Sequence, residues 1–282
     1  MKKSAFPYKY KLFAYGPVTA LAGNQPSAKR RRVWGYPLLL CLLLLLHPIP
    51  SWAVFSPRTV LEDLYHRQGL GEGSFLLEIE AVTFNGTQQD RARIKVYLDE
   101  SGSQLVTFEE PERMKDDCYL VVGYNTWILQ AGMRRPLRIS AQQKLFGQAG
   151  IAETVGIDYL NDYRIEASAE TETEYQLQLV ALDKRTAYQR ATMWVGMEDR
   201  NIKRVQLLAI NGQPLKELIY SNYRFINGHE VGEITVKNLL MEKEQQTTLK
   251  FLNIVEKQLP PAAFQPMMMN KAKQIIKTGN QE

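Results

Sequence analysis

The sequence predicts a mainly β protein with a few helices, an α+β chain built on one antiparallel meander of about ten strands. Three observations predict it. From Phe75 onward, apolar residues recur at every second position, the period of a half-buried strand. The strand candidates follow one another at spacings too short for crossover helices. Turn dipeptides stand between them, among them Asn85-Gly86, Ser101-Gly102, Asn211-Gly212 and Asn227-Gly228.

One helix precedes the strands. Ser56 can cap it, Pro57 suits its first turn, and Val60, Leu61 and Leu64 share a stripe. Gly69, Gly71 and Gly73 stop it. Phe75, Leu77, Ile79 and Ala81 then alternate with Leu76, Glu78 and Glu80; Ile94, Val96 and Leu98 alternate with Arg93, Lys95 and Tyr97. Segments 105–108, 119–122, 126–130 and 137–139 continue the series. Ser140 to Asp162 interrupts it. This excursion carries Leu145, Phe146, Ile151 and Val155, is expected to hold one or two short helices, and has the length of a functional or mobile insertion. Strands resume with Tyr175, Leu177 and Leu179 and run through 191–197, 203–210, 217–225, 233–240 and 247–255. With no Gly-, Ser- or Pro-rich linker, residues 54–270 read as one domain. Residues 271–282 are expected to be a disordered tail.

Residues 1–53 read as a targeting segment. The basic block Lys29-Arg30-Arg31-Arg32, the apolar run Pro37–Leu46, the breakers Pro48 and Pro50, and Ser51-Trp52-Ala53 stand in the order of a secretory signal peptide with an extended n-region, cleaved after about Ala53. The apolar run is ten residues, against roughly 20 needed to span a bilayer. A retained anchor is the alternative.

This cut changes the electrostatics. Residues 1–53 hold eight of the 35 Lys and Arg and no Asp or Glu, so 27 basic and 30 acidic residues remain, a net charge of −3. The basic balance of the whole chain comes from the targeting segment, and a nucleic-acid partner loses its support. Cys118 is the one cysteine beyond residue 53, which excludes an internal disulfide there and suits a buried small hydrophobe.

A catalytic set is hard to find. His66 and His229 have no Cys or His at metal-ligand spacing. Gly-x-Ser-x-Gly, Walker and Gly-x-Gly-x-x-Gly motifs are missing. The acidic pairs Asp116/Asp117 and Asp158/Asp162 suit solvated loops better than an acid–base pair across a cleft. The expectation is a non-enzyme without metal or cofactor. What stands out is aromatic content on the strands. A long curved sheet with few helices has difficulty filling its concave side, and such sheets that bind ligands usually hold apolar ones.

Several motifs occur in a telling order: Tyr159-Leu160-Asn161-Asp162-Tyr163-Arg164, then Tyr175-Gln176-Leu177-Gln178-Leu179, then Tyr188 to Trp194-Val195, then Gly212-Gln213-Pro214-Leu215-Lys216, then Tyr220-Ser221-Asn222-Tyr223. Trp127 to Ser140, with Arg134, Arg135 and Arg138, adds a Trp strand followed by an Arg-rich stretch. Together they resemble the bacterial outer membrane lipoprotein-sorting, LolA-like proteins over about residues 75–256. The sequence departs after Trp127, where Ile128-Leu129-Gln130 stands in place of the family's tyrosine and proline. The resemblance implies an unclosed antiparallel β-barrel with helices lidding a concave apolar face. That face would shelter acyl chains of a lipoprotein or lipid in the periplasm, between an inner-membrane exporter and an outer-membrane acceptor, in a monomer. Phe75, Leu77, Ile79, Trp127, Trp194 and Tyr220 are the candidates for the cavity wall, and Leu145, Phe146, Ile151 and Val155 for the lid. Two rivals stand beside this reading: a protein-interaction or sensor domain with a filled core on the same fold, and a hydrolase using Asp158 or Asp162.

Overall fold

The computed structural model describes residues 56–71, 73–85, 88–240 and 245–279; the segment 1–53, expected from the sequence to be a signal peptide, lies outside them. Helix α1 (Pro57–Gln68) leads into β1 (Phe75–Asn85), β2 (Gln88–Leu98), β3 (Gln104–Glu110), β4 (Cys118–Val122), β5 (Asn125–Leu129) and β6 (Leu137–Ile139). The excursion holds β7 (Lys144–Phe146), β8 (Ala149–Gly150) and the short helix α2 (Ile151–Val155). Then follow β9 (Tyr163–Glu170), β10 (Glu174–Ala181), β11 (Arg190–Gly196), β12 (Ile202–Leu208), β13 (Pro214–Ile226), β14 (His229–Asn238), β15 (Gln246–Glu256) and helix α3 (Ala272–Thr278).

Thirteen strands form one antiparallel sheet, ordered β6-β5-β4-β3-β2-β1-β15-β14-β13-β12-β11-β10-β9, and β7 pairs with β8 separately. The sequence suggests about ten strands, and the physical reason for the shortfall is visible. β9 carries Arg164, Glu166, Ala167, Ser168 and Ala169 and is largely exposed, so it shows little apolar alternation. The β7–β8 hairpin is too short to show a period.

The strand order has a simple meaning. Two meanders, β1 to β6 and β9 to β15, are joined where the first strand pairs with the last. Their far ends, β6 and β9, are the free edges of the sheet, and the excursion Ser140–Asp162 is the segment that connects them. The sheet therefore does not close on itself. β6 is only three residues long, a short edge of the kind that resists unwanted pairing. The Asn227-Gly228 turn joins β13 to β14 with φ of 48° and 89°. Both central residues lie in the left-handed region that a two-residue hairpin requires, which explains Asn followed by Gly.

Strand alternation gives the sheet two apolar faces in its first half. The inner face presents Ile79, Ala92, Ile94, Val96, Val106, Phe108, Tyr119 and Ile128, and continues across the second half through Leu249, Val236, Leu218, Val205, Leu207, Met193, Leu177 and Leu179. Val60, Leu61 and Leu64 of α1 pack on it, as the sequence stripe predicts. The outer face of β2 to β5 presents Tyr97, Leu105, Cys118, Leu120 and Leu129. A C-terminal strap covers it, with Leu259, Ala263, Phe264, Met269 and Ala272 buried. Here the expected tail at 271–282 is corrected: Ala272–Thr278 is helical, and Ile275 and Ile276 pack against the outer cluster. The polar spacing of Lys271, Lys273, Gln274 and Lys277 looks like tail in sequence because it forms the solvent side of this short helix.

The buried hydroxyls and the thiol set a pH limit. Burial, reinforced by Asp117, pushes the Cys118 thiol up to about 11 from 9.0 and the Tyr119 phenol to about 12 from 10.0. In the fold both groups stay neutral where an unfolded chain has begun to ionise. The unfolded state then binds fewer protons, so stability is fully present below pH 9 and falls as pH rises through 9 to 12. Thermal melts across this window should show a falling Tm, with a shallower fall in Tyr119→Phe; a flat profile would contradict this assignment.

Candidate functional site

The inner face is a broad apolar surface on which a cavity could be built, and the protein fills it with its own excursion. Leu145, Phe146, Ala149, Ile151 and Ala152 are buried in the same cluster as the inward side chains of the sheet, with Val155, Ile157, Tyr159 and Leu160 packed around them. The four residues expected at the lid, Leu145, Phe146, Ile151 and Val155, are thus brought together against the sheet. Of the expected wall residues, Leu77, Ile79 and Tyr220 lie in this cluster.

Three expected wall residues lie elsewhere. Trp127 points to the outer face and packs against the strap cluster. Trp194 sits between the inward Met193 and Val195, so alternation turns it outward, where the Arg204 guanidinium lies 3.8 Å above its ring. Both corrections have one cause: aromatic identity says nothing of side, and a shift of one residue exchanges the faces of a strand. Phe75 is buried at the start of β1, where its ring meets His229 edge-on at 5.5 Å, outside the inner cluster.

Polar contacts hold the excursion in place. The Gln148 amide N–H donates to Thr247 Oγ1 at 2.7 Å, and Thr247 Oγ1 bonds Thr83 Oγ1 at 3.0 Å. Gly147, at φ 57°, lies so close to these threonines that a β-carbon there would collide with Thr247. Gln142 donates to the Ala187 carbonyl.

The strongest tie is an ion pair. Lys216 Nζ on β13 donates to Glu153 Oε2 on α2 at 2.8 Å, with side chains 9 % and 0 % exposed. The Tyr188 hydroxyl donates to Glu153 Oε1, and the Gly150 N–H donates to Oε2. The Tyr163 hydroxyl donates to the Tyr188 carbonyl at 2.9 Å, and the Tyr159 hydroxyl is buried nearby. Burial, with Glu153 next to it, holds the Tyr188 phenol far above its usual range, so it is a donor at any ordinary pH. Lys216 is the one basic residue in the buried set among the described residues. Sequence reasoning passed over both charges. Glu153 is one polar residue in an excursion read for its apolar ones, and Lys216 enters only as the end of a motif. One usable signal was that Lys216 has the parity of Leu218 and Tyr220.

The expected acidic pairs serve as local anchors. Asp158 accepts from the Asn161 N–H and side-chain amide, Asp162 accepts from the Tyr124 hydroxyl, and Asp117 accepts from the Ala131 N–H and Gln130.

The model of a protein family described as "Uncharacterized protein" matches residues 100–271. The chain belongs to that family. Solved structures then place its fold. A LolA superfamily protein from Nitrosomonas europaea superposes with a TM-score of 0.66 at 20 % identity, over 75 % of this chain and 98 % of that one. A putative outer membrane lipoprotein-sorting protein domain from Vibrio parahaemolyticus gives 0.61 at 16 %, over 76 % and 97 %. A DUF1329 family protein from Desulfovibrio piger gives 0.56 at 16 %, over 74 % and 94 %. The open thirteen-stranded sheet with its covered inner face is the LolA-like half-barrel. No curated protein matches the sequence.

Proposed function

We propose that the protein is a non-enzymatic periplasmic carrier that takes acyl chains of a lipoprotein or lipid into the half-barrel and moves them towards the outer membrane. The observation that carries this reading is the inner face itself. It is a largely apolar surface that runs across the sheet, covered by helix α1 and by the one connection between the two free edges rather than by a second sheet. The excursion stands where the chains would lie, and a chain enters by displacing it.

The energies allow the exchange. Exposing Leu145, Phe146 and Ile151 costs about 5–9 kcal/mol at roughly 1.5–3 kcal/mol per side chain. A sixteen-carbon chain recovers about 12 kcal/mol at roughly 0.8 kcal/mol per CH₂. With the Glu153–Lys216 pair added, the two sides are of similar size, so cargo and excursion can compete for the inner face and the excursion returns when the cargo leaves. An inner-membrane donor and an outer-membrane acceptor are the partners this transfer requires.

Native mass spectrometry of the protein purified from a bacterial periplasm without detergent tests the reading. The expected result is a co-purifying acylated species, lost in Leu177→Asp, which places a charge on the inner face, and kept in Trp194→Ala, which alters the outer one. A clean apo mass with no uptake of a fluorescent fatty acid would favour the second reading, a protein-interaction module. The observation in favour of that alternative is the filled inner face.

A further inference from the structure

The Glu153–Lys216 pair identifies the kind of head group an acyl ligand would carry. Glu153 belongs to the excursion; Lys216 and Tyr188 belong to the sheet and its β10–β11 connection. Displacing the excursion removes the carboxylate and leaves both donors behind. One is an ammonium on an inner face whose neighbours along the strand are Leu218 and Tyr220. The other is a phenol that burial keeps protonated. An unpaired buried charge of this kind is strongly unfavourable unless a new partner replaces the old one. A neutral ligand would leave Lys216 unpaired.

We infer that the half-barrel takes an acyl chain ending in a compact anionic head, carboxylate or phosphate, which accepts from Lys216 Nζ and the Tyr188 hydroxyl in the place now held by the two oxygens of Glu153. This rests on the carrier reading and narrows its cargo. Glu153 is then the internal stand-in for the ligand's head, and it competes with the ligand for the same two donors. The Tyr163 hydroxyl, bonded to the Tyr188 carbonyl, keeps that connection in position during the exchange.

The test uses protein purified from the periplasm of cells expressing the full chain. Binding of palmitate, hexadecanol and hexadecyl phosphate is measured below their micelle concentrations. Palmitate and hexadecyl phosphate are expected to bind at least about tenfold tighter than hexadecanol, a difference typical of one charge-assisted contact. A preference for only one of the two anions distinguishes carboxylate from phosphate heads. Glu153→Gln, which weakens the competitor, is expected to tighten both anions. In Glu153→Leu/Lys216→Met, which removes the pair without stranding a charge, the anions and the alcohol are expected to bind equally. Equal binding of all three by the wild type, or an anion preference surviving in the double variant, would overturn the inference while leaving the carrier reading in place. Binding of none of them would overturn both.

Discussion

Lys216→Ala is expected to destabilise the protein by about 3–5 kcal/mol, the cost of breaking a buried ion pair from one side. Glu153 would lose its cation while remaining sealed under α2, with only the Tyr188 hydroxyl and the Gly150 N–H left on its carboxylate. Glu153→Ala should cost a similar amount, because Lys216 has no second acid against it among the described residues. Replacing both, as in Glu153→Leu/Lys216→Met, removes two desolvated charges together, and such replacements are often neutral or stabilising. Urea denaturation of the four proteins measures the coupling directly. The singles should each lose several kcal/mol and the double should return to near wild type. Two small, additive losses would mean that the pair is solvated and holds nothing.

The second large effect belongs to the other face. Phe264→Ala is expected to cost about 3–5 kcal/mol, the range for emptying a buried aromatic site. Phe264 is the largest side chain the strap inserts against Leu105, Leu120 and Leu129, and its loss leaves a void between two layers. The consequence reaches Cys118, which the strap covers and whose thiol lies 3.8 Å from the Met269 carbonyl. Thiol labelling of residues 54–282 should be very slow in the wild type, where burial and a thiol pKa raised to about 11 both suppress the thiolate. In Phe264→Ala it should speed up many-fold. Rapid labelling of the wild type would mean that the strap is not held against β4.

Much of this architecture was legible in the sequence. The alternation of Phe75 to Ala81 and of Tyr175 to Ala181, and the hairpin dipeptides, specify antiparallel strands without reference to distant residues. Ser140 to Asp162 breaks the period and is visibly an insertion; its apolar Leu145, Phe146 and Ile151 are the side chains that fill the inner face. What the sequence hides is sidedness and pairing at long range. Trp127 and Trp194 have the composition of a binding wall and the parity of an outer surface. Glu153 and Lys216 are 63 residues apart, and each looks like a surface charge until the excursion is folded across the sheet. The C-terminal helix was hidden because a short amphipathic segment acquires its apolar side only from the cluster it covers.

The central claim is that the excursion occupies the place an acyl chain would take. Hydrogen exchange of the purified protein, with and without a bound acyl ligand, tests it most directly. On ligand binding, the amide of Gln148, which now donates to Thr247 on β15, and those of Ile151 and Ala152, now buried in the inner cluster, should lose protection while β10 to β13 keep theirs. A saturated complex in which the excursion stays as protected as before would contradict the account.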